Sequence, residues 1–231
     1  MLNIVSSKII DGFLSDQEIR DIKQEFMTAG IKGDAKLRDD CELLPSEYAI
    51  GVGTVSRTIL QFHPKYHKNT VELLKQKVSD TFGKEINLAH AHMLTSYIPY
   101  RIHTDGLIGE HGITEGNYGA YTLLIPLDDY DTHTIVFNEW QDNDKLLPHY
   151  TEKNQPKDTI DDETYEKYFK AEQREHLRYL SIDKIFKWKR GSCLAMSRYV
   201  FHGSDNYFGK IPFKQGIVMW TAAPIGWVPA T

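Results

Sequence analysis

Apolar residues at helical spacing predict two amphipathic helices near the start of the chain. Ser15 and Glu18 have the spacing of a capping box, in which each side chain binds the backbone amide of the other residue. Apolar residues then recur at helical spacing until Gly30, where the helix is expected to end. A second apolar stripe predicts a helix over 70–82, and the segment 51–62, rich in Val, Thr and Ile, is expected to be extended.

From residue 86 onward the pattern is that of short strands, predicted at 86–98, 118–127, 134–139, 192–197 and 215–222. No helices alternate with these strands, which favours an antiparallel sandwich or barrel over βαβ units. A polar stretch interrupts the series and has too few large apolar residues for a core of its own.

We therefore expect a single domain. Residues 1–85 would supply N-terminal helices and outer strands, 86–140 and 187–224 the core, and 141–186 a polar insert on one barrel edge, with a helix over 161–180 and a lid as one role.

Composition and charge narrow the class of protein. The 231 residues suffice to bury a sizeable core, and 27 basic against 32 acidic residues give a net charge of −5. This acidic balance disfavours general binding to nucleic acid or anionic lipid.

The two cysteines, Cys41 and Cys193, exclude a disulfide framework and a cysteine-rich zinc site. Neither a signal peptide nor an apolar run of membrane-spanning length is visible, so a cytoplasmic location is expected.

The segment that ends in His103 and Asp105 is the strongest chemical signal. Two residues apart at the end of a strand, an imidazole and a carboxylate can face the same way and offer a nitrogen and an oxygen to one metal ion. A His-x-Asp pair alone is weak in a chain with ten histidines. A second histidine from a later strand would complete a two-histidine, one-carboxylate face, which leaves positions open on non-haem Fe(II).

The later candidates are His202 and Lys214. His202 follows a predicted strand, and Lys214 stands at the head of the apolar strand 215–222. A lysine that points into a barrel needs an anionic partner because an unpaired buried charge is costly. A dicarboxylate cosubstrate would be a suitable partner.

Three blocks of the sequence carry a resemblance to a known superfamily. They are Tyr97 through Asp105, the stretch YTLLIPLDDY at 121–130 continuing to Phe137, and KRGSCLAM at 189–196 continuing to Trp220. In order and spacing the chain resembles the Fe(II)/2-oxoglutarate-dependent oxygenases, closest to the prolyl 4-hydroxylase-type group, over 86–140 and 187–224. The resemblance implies a mainly β fold with flanking helices and a double-stranded β-helix (jelly-roll, cupin-like) core.

The resemblance also implies site residues and cofactors. It implies an iron site made by His103, Asp105 and His202. Lys214 would pair with the distal carboxylate of 2-oxoglutarate, with Tyr97 and Thr122 as further cosubstrate contacts. One departure is Pro126, since some relatives have a tyrosine there whose hydroxyl binds the cosubstrate.

Several alternatives stay open at the level of single residues. Arg198, four residues before His202, could contact a substrate or cosubstrate anion or be an ordinary loop arginine. Lys210 is the rival of Lys214 as anchor, and His111 and His133 are rival ligands. His90 and His92 alternate on one strand, where a second metal site is conceivable but hydrogen-bonded barrel positions are commoner.

The expected function is that of an Fe(II)- and 2-oxoglutarate-dependent dioxygenase. It would use O₂ to hydroxylate a C–H bond of a small molecule, an amino acid or a peptidyl residue, and would release succinate and CO₂. The alternative from another class is a non-catalytic cupin-like module that binds a metal or a small anion. A metal-dependent isomerase or hydrolase on the same barrel is a third. The sequence predicts neither the substrate nor the oligomeric state.

Overall fold

The computed structural model of the chain describes residues 7–31, 37–38, 57–62, 67–82, 87–105, 121–140, 155–170 and 172–222. Its strands are β1 (Lys8–Ile10), β2 (Leu37–Arg38), β3 (Arg57–Gln61), β4 (Asn87–Ser96), β5 (Thr122–Pro126), β6 (His133–Trp140), β7 (Ile182–Lys187), β8 (Cys193–Met196), β9 (Val200–Ser204) and β10 (Lys214–Ala222). The helices are α1 (Asp16–Ile31), α2 (Lys68–Phe82), α3 (Asp162–Thr164) and α4 (Arg174–Leu177), with a π-helical turn at Tyr165–Phe169.

The strands form two antiparallel sheets that face each other. One has the order β1-β8-β5-β10-β4-β3-β2, and the other has the order β7-β6-β9. An isolated bridge between His103 and His202 adds the chain at 103 beside β9. From β4 onward the chain crosses between the sheets at each step except from β6 to β7, which are neighbours in the smaller sheet. This is the path of a double-stranded β-helix. The predicted fold class is confirmed.

Side chains between the two sheets form the inner core. It contains Leu124, Val136, Phe186, Trp188, Leu194, Met196 and Val200. Because side chains alternate along a strand, Val218 of β10 faces this inner core while Ile217 and Met219 face outward. The inward face of β10 also carries Lys214.

The two predicted helices cover the outer face of the larger sheet. Helix α1 begins as its capping box requires, since Ser15 N donates to Glu18 Oε2 at 2.7 Å and Glu18 N donates to Ser15 Oγ at 3.3 Å. Its residues Ile19 and Ile22 pack with α2 and with the outward residues of β5 and β10. In the described part of the chain, no helix has the length and apolar character needed to cross a membrane.

The described part of the predicted insert packs on the outer face of the smaller sheet. Phe169, Leu177 and Leu180 are buried against Ile135 and Phe137 of β6, together with Ile102 and Phe201. The single helix expected over 161–180 is instead broken into α3, the π-helical turn and α4. Strand β7 begins at Ile182, five residues before the predicted core boundary, because an edge strand needs apolar residues on one face only.

Candidate metal centre

Backbone pairing brings His103 beside His202. The amide of each residue donates to the carbonyl of the other at 2.9 Å. The next contact along this pairing joins Asp105 N to Arg198 O, also at 2.9 Å. Two segments about 100 residues apart in sequence therefore lie side by side, and their side chains enter the space between the sheets.

The ligand atoms of His103, Asp105 and His202 converge on one point. One nitrogen or oxygen from each residue lies within 4.8 Å of the others, and this is the only such cluster of metal-ligating side chains among the described residues. Nε2 of His103 is 3.7 Å from Asp105 Oδ1, and Nε2 of His202 is 3.6 Å from Asp105 Oδ2. The convergence predicted from sequence is therefore present.

Hydrogen bonds to backbone carbonyls fix the tautomer of both histidines. Nδ1 of His103 is 2.7 Å from the Arg101 carbonyl, and Nδ1 of His202 is 3.2 Å from the Val200 carbonyl. A carbonyl only accepts, so each Nδ1 carries a proton, and in the neutral form of the ring Nε2 keeps its lone pair. This arrangement is typical of histidines that bind a metal through Nε2.

Asp105 is held as a carboxylate. Burial alone would raise its pKa, but His202, His103, the Thr122 hydroxyl and Arg198 together lower the pKa below the usual range. Thr122 Oγ1 donates to Asp105 Oδ2 at 2.7 Å. The centre thus offers two imidazole nitrogens and one anionic oxygen, a donor set that fits non-haem Fe(II).

Lys214 is buried between the sheets and is 2% exposed. Its Nζ donates to Ser204 Oγ at 2.9 Å and lies 4.2 Å from the centre of the Trp188 ring and 4.7 Å from that of Tyr207. Burial lowers its pKa to about 7, and the nearby charge of Asp205 opposes this shift only in part. Lys214 is therefore a buried cation without a carboxylate in direct contact among the described residues.

Asp205 is bound to other groups rather than to Lys214. Its carboxylate accepts hydrogen bonds from the Thr132 hydroxyl and from His133 Nδ1, the latter at 2.8 Å. Although burial raises the pKa of Asp205, these hydrogen bonds and the charge of Lys214 lower it below its usual value. The histidine at 133, a rival ligand in the sequence, therefore supports Asp205 and does not join the metal cluster.

The structure brings Tyr207, not Tyr97, against the lysine. Tyr97 is 38% exposed and its ring packs against Phe213. Tyr207 is fully buried, and its hydroxyl binds Ser96 Oγ at 3.0 Å. Sequence reasoning missed Tyr207 because it follows β9 in a loop, and nothing in the local pattern marks a loop tyrosine as buried.

Thr122 and Pro126 lie on the inward face of β5. The Thr122 hydroxyl binds the Asp105 carboxylate and does not contact Lys214. Pro126 pairs with Gly216 of β10, and a Cβ added at Gly216 would lie 3.2 Å from the Trp188 ring. The indole of Trp188 thus packs closely over Gly216, beside the lysine.

Arg198 contacts both Asp105 and the ring of Trp220. Arg198 Nη2 donates to the Asp105 carbonyl at 2.8 Å, and the guanidinium lies 4.7 Å from the centre of the Trp220 ring. Burial lowers the pKa of Arg198 while Asp105 opposes the shift; an arginine stays charged in any case. Arg198 is therefore an interior residue and not an ordinary loop arginine.

The remaining rivals do not reach the centre. Lys210 is exposed in the turn before β10. His92 is buried and its ring packs edge-on against Trp220. The backbone of His90 pairs with Trp220; its side chain lies outside the described residues, as does His111 altogether.

No protein-family model matches the chain, and no curated protein matches it in sequence. Solved structures do match. SnoK, a non-heme alpha ketoglutarate dependent carbocyclase from nogalamycin biosynthesis, gives a TM-score of 0.56 at 10% identity over 94% of this chain and 79% of SnoK. AviO1 from Streptomyces viridochromogenes Tue57 gives 0.54 at 14% identity over 98% and 94%. HygX from Streptomyces hygroscopicus, solved with nickel and 2-oxoglutarate bound, gives 0.53 at 13% identity over 99% and 87%.

These similarities define the class of fold. The chain has the fold of the Fe(II)/2-oxoglutarate-dependent oxygenases, and the His-x-Asp…His triad is in place within it. The resemblance expected from three sequence blocks is thus confirmed at the level of the fold.

Proposed function

We propose that the chain is a non-haem Fe(II)- and 2-oxoglutarate-dependent dioxygenase that hydroxylates a C–H bond. The observation that carries the proposal is the convergence of His103, Asp105 and His202 with fixed tautomers, in the same interior as a buried lysine. When bound, Fe(II), 2-oxoglutarate and O₂ supply the oxidation, with release of succinate and CO₂. The protein's own residues bind, orient and shelter these groups.

The three ligand residues would hold the metal through His103 Nε2, His202 Nε2 and one carboxylate oxygen of Asp105. The carbonyl-bound Nδ1 atoms keep the two rings in the ligating orientation. Thr122 restrains the carboxylate from the other side. Such supporting hydrogen bonds commonly change metal affinity by about 10- to 100-fold.

Lys214 would bind the distal carboxylate of 2-oxoglutarate. Ser204 lies two residues after His202 on the same face of β9, so the hydroxyl that meets the lysine is about 7 Å along the strand from the metal ligand. A short dicarboxylate can bridge such a separation with one end on the metal. A ligand carboxylate would also supply the anionic partner that the buried lysine lacks.

Trp188 and Tyr207 would exclude water from that carboxylate. Both are nearly or fully buried and lie against the lysine. In such a low-dielectric setting an ion pair is stronger than in water. Tyr207 would therefore lie beside the cosubstrate, in the role that the sequence suggested for Tyr97.

The substrate could be a small molecule, an amino acid or a peptidyl residue, the last as in the prolyl 4-hydroxylase-type group. The solved structures similar to this chain include SnoK, which is described as a carbocyclase. The substrates to be tested should therefore not be limited to proline and prolyl peptides.

A succinate-release assay across a panel of small acids, amino acids and peptides tests the proposal. Fe(II), 2-oxoglutarate and O₂ should all be required, and His103→Ala should abolish succinate formation. A cupin-like binding module would hold the metal but form no succinate. An isomerase or hydrolase would turn over without 2-oxoglutarate, and either result would refute the proposal.

A further inference from the structure

Arg198 is a buried cation close to the metal ligands, and its donors are not all used. The side chain is 4% exposed. Nη2 donates to the Asp105 backbone carbonyl, and the guanidinium lies over the Trp220 ring. Its Nε is buried and has no hydrogen-bond partner among the residues that the structure describes. A buried donor without a partner is costly, which suggests that a ligand completes the site.

The guanidinium faces the same interior as the metal ligands. Trp220 lies on the inward face of β10, directly opposite Thr122 of β5. The Thr122 hydroxyl binds the Asp105 carboxylate, and the Arg198 guanidinium binds the carbonyl of the same residue. A group bound at Arg198 would therefore lie beside Asp105, above the Trp220 ring.

If the proposed function holds, the pairing of charged groups around Arg198 indicates the chemical class of the group that it binds. A divalent ion is balanced by Asp105 and by the carboxylate of 2-oxoglutarate that lies at the metal. Lys214 is balanced by the distal carboxylate of the same molecule. Asp205, another carboxylate of this interior, acts on Lys214 and is bound by Thr132 and His133. Arg198 therefore has no salt bridge to a carboxylate among the described residues, and burying a charge without a partner is strongly unfavourable.

We propose that Arg198 binds a carboxylate group of the substrate, so that the substrates of this protein are carboxylic acids held beside the metal. This inference rests on the proposed function and extends it to the substrate class. A carboxylate fits better than a phosphate because Arg198 is a single cation, and no lysine or other arginine of the described residues acts on it. The planar guanidinium suits a carboxylate, and the Trp220 ring would hold the guanidinium in a fixed plane.

Two matched pairs of probes test the proposal: propionate against propionamide, and benzoate against benzamide. Binding is measured by ligand-observed NMR on the Zn(II)-loaded protein saturated with 2-oxoglutarate. The wild-type protein should bind each acid at least about tenfold more tightly than its amide, as expected for charge-assisted hydrogen bonds. Arg198→Gln should remove this preference. Arg178→Gln, at an exposed arginine paired with Asp158, should retain it. An acid preference that persists in Arg198→Gln would overturn the proposal.

A second titration separates the substrate carboxylate from that of the cosubstrate. The affinity of the Zn(II) protein for 2-oxoglutarate should change less than about twofold in Arg198→Gln. A loss of tenfold or more in that affinity, with the acid preference intact, would assign Arg198 to the cosubstrate and refute the substrate role.

Direct observation of the arginine covers the case in which the variant does not fold. The Arg198 Nε–Hε resonance of the wild-type protein, identified by its contacts with the Trp220 ring, should shift when propionate is added and stay unchanged with propionamide. No shift with either probe would overturn the proposal. This measurement can be made without 2-oxoglutarate, so its failure and a failure to form succinate are distinguishable.

Discussion

The Lys214 ammonium donates a hydrogen bond to the Ser204 hydroxyl across 2.9 Å. The hydroxyl is a neutral partner, and the nearest charge that acts on the lysine is that of Asp205, which is engaged with Thr132 and His133. A buried ammonium with a neutral hydrogen-bond partner loses its proton more easily than one in water. Ligand binding at this lysine should therefore depend on pH near neutrality.

The affinity for 2-oxoglutarate should fall as pH rises above about 7. Lys214 has a pKa of about 7 without ligand, and an anionic ligand would raise that value. Below pH 7 the lysine is already charged, so affinity should change little. Above pH 7 each binding event must add a proton, and affinity should fall by up to about tenfold per pH unit. Calorimetric titration of the Zn(II) protein from pH 6 to 9 would measure this.

Substitution of Lys214 should abolish the pH dependence of 2-oxoglutarate binding. Lys214→Met should weaken 2-oxoglutarate binding by at least about 100-fold, since removal of one partner of a buried ion pair costs about 3–5 kcal/mol. The residual binding should be independent of pH between 6 and 9. Lys210→Met, at an exposed lysine in the turn before β10, is the matched control and should bind normally. Normal binding in Lys214→Met would remove Lys214 as the anchor.

Asp205→Asn should move the midpoint of the pH profile to lower pH. The charge of Asp205 raises the pKa of Lys214 against the effect of burial, so its removal leaves the lysine easier to deprotonate. The amide keeps one oxygen to accept a hydrogen bond from Thr132 or His133. The same calorimetric titration gives the midpoint, and a shift to higher pH would show that the charge of Asp205 does not act on Lys214 in this way.

The role of His103 as a metal ligand can be tested without a substrate. His103→Ala should weaken Co(II) binding by more than about 100-fold, because it removes a ligand rather than a supporting hydrogen bond. Absorption of the Co(II) protein in the visible range measures this. His176→Ala, in the outer layer formed by α4, should bind Co(II) as the wild type does. Equal Co(II) affinity in both variants would show that the ion binds elsewhere.

Thr122→Val tests whether the hydrogen bond from the Thr122 hydroxyl to Asp105 strengthens metal binding. Valine keeps the β-branched shape in β5 but removes the hydroxyl that donates to Asp105 Oδ2. Metal affinity should fall by about 10- to 100-fold with the fold retained. Competition with a chelator measures the change, and Thr28→Val on the exposed face of α1 is the control. An unchanged affinity would restrict Thr122 to a packing role.

The features predicted well from sequence are those determined by local pattern. The start of α1 followed from the spacing of Ser15 and Glu18, since a capping box depends only on neighbouring residues. Strand β10 followed from its apolar run. The triad was predicted because three blocks of the chain resemble, in order and spacing, those of the Fe(II)/2-oxoglutarate-dependent oxygenases.

The features that sequence did not predict depend on distant partners. Strand β7 is half polar and is ordered by its pairing with β6. The burial of Tyr207 beside Lys214 depends on contacts with Ser96, more than 100 residues away. The expected helix over 161–180 is broken because its apolar residues must match the outer face of β6 rather than a helical stripe. Local propensity is overridden in each case by tertiary contacts.

Glu172 links the outer layer to the segment that carries His103 and Asp105, and two substitutions separate the effects of its charge and of its hydrogen bond. Its Oε1 accepts a hydrogen bond from the amide of Ile102, the residue before His103, at 3.2 Å. Burial raises the pKa of the carboxyl, although the Ile102 amide and Arg101 oppose this. The folded state therefore holds the proton more tightly than the unfolded chain, and the contribution of this group to stability falls as pH rises through the window above pH 4.5.

Glu172→Gln keeps an oxygen for the Ile102 amide and removes the buried charge. It should leave the free energy of unfolding at pH 7 unchanged or raise it, and flatten its pH dependence above 4.5. Glu172→Ala leaves the buried amide without an acceptor and should destabilise the protein by about 1–3 kcal/mol. Urea unfolding at pH 5 and pH 7 measures both variants. If Gln proved as damaging as Ala, the charge itself would be needed at this position, and attraction to Arg101 would outweigh the cost of burying the carboxylate.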